Sequence, residues 1–118
     1  MTSQKFKLKK DSFSDARGSY SRFLNIYCDH CGSHILLYQK DGPGPLKRLY
    51  QDRVFAPQNI VSPSKPTPLV CSACRSLIAI PAIYEKENRP AYLLLSYAFI
   101  KKVGTGEYPP KKAKLDVG

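Results

Sequence analysis

No run of about 20 apolar residues occurs anywhere in the 118 residues, so nothing in the chain reads as a membrane-spanning helix. Acidic side chains are few: 9 Asp+Glu stand against 19 Lys+Arg, which leaves a formal net charge of +10. A small chain with that imbalance attracts polyanions, and among these the nucleic acids are the leading partner class. Catalytic signatures are also missing. There is no Gly-rich phosphate loop, no His-x-Glu or His-Glu-x-x-His pairing, and no nucleophile–base set, so a non-enzymatic role is expected. No internal repeat appears except one, and it involves cysteine. Residues 1–10 are basic without an apolar core and do not read as a secretion signal.

The chain has only four cysteines, and they form two pairs of the same spacing, Cys28/Cys31 and Cys71/Cys74. Two intervening residues let both thiolates of a pair converge on one tetrahedral ion. Two such pairs make a closed four-sulfur site, which is the structural kind of zinc site, so one structural Zn2+ is expected. Four metal thiolates fit a reducing compartment, so a cytoplasmic location is expected. With four sulfurs in place, His30 and His34 are not needed as ligands. A catalytic zinc keeps an open position for water, and a Cys₄ set leaves none.

Along the chain, residues 1–19 read as a flexible basic N-terminal arm, 20–103 as the folded domain and 104–118 as a disordered basic C-terminal tail. In the arm, Lys5-Phe6-Lys7-Leu8-Lys9 alternates as a short edge strand would. Residues 20–27 are apolar and aromatic and deliver a strand into Cys28. Beyond Cys31, Gly32 suits the positive φ that the turn after a metal-binding pair often needs. Residues 35–39 and 46–56 read as the two arms of a hairpin. Between them, Gly42, Pro43, Gly44 and Pro45 cannot continue either strand. Residues 57–68 carry four prolines and read as an irregular loop between the halves of the cysteine site. Residues 77–84 are strand-like, with Pro81 indicating an edge or a bulge. Residues 91–100 are apolar on both faces of a strand. They predict a strand buried on both sides, with a helix over 91–102 as the competing reading.

The order strand, CxxC, hairpin, loop, CxxC, hairpin resembles the zinc ribbons. Cys28, Cys31, Cys71 and Cys74 carry the likeness, and it spans residues 20–102. It implies a mostly β domain built from two β-hairpins, with a C-terminal helix as the alternative and basic ends outside. The second pair departs from the ribbon pattern, because Arg75 stands where a glycine would be easy. Zinc ribbons serve in transcription, translation and RNA modification as scaffolds, so the role must come from the surface. That surface is expected at the first hairpin. Tyr38, Lys40, Lys47, Arg48, Tyr50 and Arg53 are candidates for contact with nucleic acid, and Arg75 is another beside the second pair. Cations neutralise phosphates and tyrosines stack on exposed bases. The competing reading of Tyr38 and Tyr50 is as core partners across strands. RNA or a ribonucleoprotein is favoured over duplex DNA, because no recognition helix is evident. Two alternatives stand beside this: a protein–protein adaptor docking on a larger transcription or translation machine, and a rubredoxin-like iron electron carrier.

Overall fold

A computed structural model describes residues 4–9, 21–42, 44–57, 67–84, 86 and 89–110. Among the described residues ten strands form three antiparallel sheets. In chain order they are β1 (Gln4–Lys5), β2 (Ser21–Cys28), β3 (His34–Asp41), β4 (Arg48–Tyr50), β5 (Val54–Ala56), β6 (Leu69–Val70), β7 (Leu77–Tyr84), β8 (Arg89–Leu94), β9 (Phe99–Gly104) and β10 (Glu107–Tyr108). One four-stranded sheet has the order β5-β3-β2-β9 and the other β4-β8-β7-β6, while β1 and β10 form a ribbon of their own. The mostly β expectation is borne out. The helix considered for 91–102 is replaced by two strands, because residues 95–98 turn between β8 and β9. Among the described residues no helix is long and apolar enough to cross a membrane.

The two larger sheets bury a common core. Leu24, Ile26, Leu36 and Tyr38 of the first pack in one cluster with Leu49, Ile78, Ala79, Tyr92 and Leu94 of the second. A strand that exposes neither face reads as a continuous apolar run. That is the pattern of β2, in which Phe23 through Cys28 are all buried. Its second face is covered by a smaller cluster of Phe23, Leu37 and Phe55, closed by Phe6 and Tyr108. The Phe6–Phe55 and Phe23–Phe55 ring centroids both lie 5.4 Å apart, within the range favoured by aromatic pairs.

Three sequence expectations are corrected here. The hairpin over 35–56 divides: β5 pairs with β3, but β4 leaves for the other sheet and pairs with β8. A 3-10 turn over Gln51–Arg53 makes the change of sheet. The basic arm is held down over residues 4–9. Gln4 and Lys5 pair with Tyr108 and Glu107, and Phe6 N–H donates to Gly106 C=O at 2.8 Å. The tail expected from 104 onward is accordingly ordered to 110, while Lys111, Lys112 and Lys114 lie outside the described residues, as do Lys10 and most of the proline-rich loop. Pro81 sits on β7 past the last residue paired with β6, so its missing N–H leaves that ladder intact.

Buried polar groups fix how these layers meet. Gln39, fully buried, accepts from Lys9 N–H and donates to Lys9 C=O, both at 2.7 Å, as a neighbouring strand would. Its amide also donates to Asp41 Oδ1 at 2.8 Å. Asp41 accepts from Ser21 Oγ at 2.6 Å and pairs with Arg53 Nε at 2.8 Å, with side chains only 5% and 1% exposed. Burial by itself would raise the Asp41 pKa; the bonds from Ser21, Gln39 and Arg53 outweigh it and hold the carboxyl below its ordinary value. Breaking such a pair from one side strands the other charge in the interior, at a cost of about 3–5 kcal/mol. Arg53→Ala should therefore lower the unfolding free energy of the metal-loaded protein by about that amount in a denaturant titration. A loss below about 1 kcal/mol would place the pair in solvent rather than in the interior.

Candidate metal centre and its surroundings

The two cysteine pairs sit at the ends of hairpins that belong to different sheets. Cys28 ends β2, and the chain turns through residues 29–33 into β3; Cys71 follows β6 and turns through 72–76 into β7. The two turns match bond for bond. Gly32 N–H donates to Cys28 C=O and Arg75 N–H to Cys71 C=O, each at 2.8 Å. Cys28 N–H donates to Ser33 C=O and Cys71 N–H to Ser76 C=O, each at 2.9 Å. The residue after each pair takes a positive φ, 79° at Gly32 and 66° at Arg75. The sequence suggested a different turn at the second pair because it lacks glycine there. Instead Arg75 adopts the left-handed conformation at a cost of about 1 kcal/mol.

The four cysteines are unbridged and their sulfurs all lie within 4.8 Å of one another. The short contacts cross between hairpins: Cys28 Sγ to Cys74 Sγ and Cys31 Sγ to Cys71 Sγ, both 3.6 Å. A tetrahedral ion with M–S bonds of about 2.3 Å requires edges of about 3.8 Å, so the four residues fit one metal ion. Cys28 and Cys71 are buried and Cys31 and Cys74 half-buried. Desolvation pushes the Cys28 thiol up to about 12 and raises Cys71 as well. Cys31 and Cys74 move the other way, Cys31 to about 6, chiefly because Ser33 and Ser76 hydroxyls lie 3.3 and 3.2 Å from their sulfurs and donate to the thiolate form. Sequence reasoning missed these serines. Their signal was present: both pairs read Cys-x-x-Cys-x-Ser.

Neither histidine joins the cluster. His30 is exposed within the first turn. His34 places Nε2 2.8 Å from Asn25 Oδ1, with its ring edge-on to Tyr27 at 5.2 Å. Burial lowers its pKa to about 4, so the ring is neutral at pH 7.

The residues nominated for nucleic-acid contact divide by burial. Tyr38 (2% exposed) and Arg53 (1%) point inward and are withdrawn as contacts. Tyr38 instead accepts from Tyr50 N–H at 2.9 Å, and Arg53 holds Asp41. Lys40, Lys47, Arg48 and Tyr50, with Pro45 and Leu46, line an open cleft of about 210 Å³ whose floor includes Tyr38 and Asp41. Tyr50 is braced by the Arg89 guanidinium, 3.9 Å from its ring centroid. Arg89 is itself paired with Asp52 at 2.7 Å. Arg75 is exposed at the second turn and does not line this cleft.

Two outcomes check this centre. Arg75→Gly should keep the metal and raise the unfolding free energy by up to about 1 kcal/mol, since glycine adopts the positive φ without strain. A destabilised variant would mean that the Arg75 side chain has a holding role. Metal uptake must displace protons from Cys28 and Cys71, whose raised pKa values keep them protonated at neutral pH, so apparent affinity should rise about tenfold per pH unit for each displaced proton. Below about pH 6 Cys31 protonates too, and the dependence should steepen. Competition with a chromophoric chelator from pH 5.5 to 8 measures both slopes, and a flat profile would exclude thiol ligation. No protein-family model, curated protein or solved structure matches the chain.

Proposed function

We propose that this chain is a non-enzymatic module, clasped by one structural zinc, that binds single-stranded nucleic acid, RNA in preference to duplex DNA. Four thiolates suit zinc or iron. Zinc is the reading here because a net charge of +10 and a paired basic cleft have no use in one-electron transfer. A zinc with four sulfur ligands has no position for a reacting water, which is why the role proposed is binding. Its paired cysteine turns are read as those of the zinc-ribbon class, carried on a larger pair of sheets.

The observation that carries the reading is the cleft that collects Lys40, Lys47 and Arg48 around Tyr50. Asp41, the one carboxylate among the described lining residues, is already committed to Arg53, so that lining stays positive. Three cations in a concave site neutralise phosphates, and a tyrosine fixed from behind by Arg89 offers a face or edge to a base.

A second reading, docking on a protein, is supported by a different surface. Val70 opposite Leu77, and Ile80 opposite Leu93, are cross-strand pairs that remain 40–44% exposed on the second sheet. Such a patch would bind with little dependence on salt, whereas phosphate binding weakens steeply as salt rises. The test is the triple variant Lys40→Ala/Lys47→Ala/Arg48→Ala, titrated with a single-stranded RNA oligomer at several salt concentrations. Losing three phosphate contacts should lower the log–log salt slope by about 2 and weaken binding at least tenfold at low salt, with folding unchanged. An unaltered slope would remove the cleft as the site. A colourless preparation holding one zinc per chain is expected, and visible charge-transfer absorption would identify iron instead.

A further inference from the structure

The metal centre borders a second cleft, of about 440 Å³, that the phosphate contacts above leave unused. Its lining comes from three places: Asp29 and His30 in the first cysteine turn, Ser76 and Leu77 after the second, and Leu95, Tyr97 and Ala98 in the turn between β8 and β9. These pieces are fixed to one another through the backbone. Asp29 N–H donates to Ala98 C=O, Ala98 N–H to Leu95 C=O, and Leu95 N–H to Ile78 C=O, each at 3.0 Å. Tyr97 is 76% exposed at the rim. Among the described residues the cleft combines an apolar lining with one carboxylate, and no described lysine or arginine lines it. It is therefore built for a flat, uncharged ring with donors on its edge, and not for phosphate.

Its position relates it to the basic cleft. Arg48 is opposite Leu93 in the β4–β8 register, and Leu94 N–H donates to Lys47 C=O at 3.0 Å. The basic segment thus runs one strand spacing, about 4.8 Å, from the residues that lead into Leu95. Lys47 of the basic cleft is bonded to the residue directly before Leu95, which lines the second cleft.

We propose that this cleft takes one unstacked base of a single strand held at the basic cleft, and that Asp29 makes guanine the preferred base. The proposal rests on the nucleic-acid reading above. Tyr97 supplies the stacking surface, and Leu77, Leu95 and Ala98 remove apolar ring area from water. Asp29 supplies the discrimination. Guanine presents two parallel donors, N1–H and N2–H, to the two oxygens of a carboxylate. Adenine, cytosine and uracil each present a single donor position there, flanked by acceptors that a carboxylate repels.

The experiment measures dissociation constants of the zinc-loaded full chain for four RNA heptamers at low salt: uridine throughout, or with guanosine, inosine or adenosine at the centre. Guanosine should bind about tenfold tighter than adenosine or uridine, with inosine between them because it lacks the 2-amino donor. Asp29→Asn should erase that preference and leave the uridine heptamer unchanged. Asp29→Ser should do the same, and one zinc retained per chain in each variant excludes damage to the centre as the cause. Tyr97→Ala should weaken every heptamer about tenfold, and Tyr97→Phe should restore binding. Equal affinity for all four heptamers, with Tyr97→Ala like the wild type, would overturn the base site while leaving phosphate binding at the basic cleft in place. Failure to bind any heptamer would overturn the nucleic-acid reading, and this proposal with it.

Discussion

Four sulfurs that could hold one metal ion meet at the ends of two hairpins that otherwise belong to separate sheets. The contacts cross, Cys28 to Cys74 and Cys31 to Cys71, so neither hairpin completes a site alone. β6, only two residues long, leads straight into Cys71, and a strand of that length has little stability without an anchor. A structural metal in such a set contributes on the order of 10 kcal/mol of apparent folding free energy, comparable to the whole stability of a small domain. The exposed Asp29 and His30 are positioned by the backbone bonds of their turn, Gly32 N–H to Cys28 C=O and Asp29 N–H to Ala98 C=O.

A second constraint operates at the end of β3 away from the cysteine turn, where Asp41, Arg53 and Gln39 replace apolar packing with a satisfied polar group. This arrangement serves the surface as much as the interior. Arg53 neutralises Asp41, which lines the basic cleft, and Tyr38 props the backbone of Tyr50 from below. Two of the residues that look like ligand contacts in the sequence are thereby the supports of the ones that reach solvent.

How much could be read beforehand follows from which signals are local. The cysteine pairs announce their chemistry by spacing, and the glycine–proline break at 42–45 and the run from 20 to 28 announce strands. The exchange of strands between sheets has no such signal. Leu46 through Ala56 reads as one strand because its composition does not mark Gln51–Arg53 as the point where partners change. Residues 91–100 read as one element for the same reason, since Ser96 and Tyr97 in the turn are no more polar than a strand tolerates. The inward course of Arg53 was illegible because its partner, Asp41, lies 12 residues away across a turn. A buried arginine and an exposed one look alike until that partner is placed. The N-terminal arm reads as flexible on its charge, but residues 4–9 have a place in the fold through Phe6 docked on Phe55, the pairing with β10 and the bonds of Lys9 to Gln39.

The ribbon formed by β1 and β10 also bears on how the chain reaches its native state. Gln4 meets Tyr108 across about 100 intervening residues, so this pairing closes the longest loop in the described fold. The β2–β3 and β7–β8 hairpins join near neighbours and can form early. The packing partners of the ribbon, Phe23, Leu37 and Phe55, all belong to the first sheet, so it gains little before that sheet has formed. A topology weighted to such distant partners belongs at the slow end of folding rates for its size. On this topology the two outermost described strands are expected to pair last.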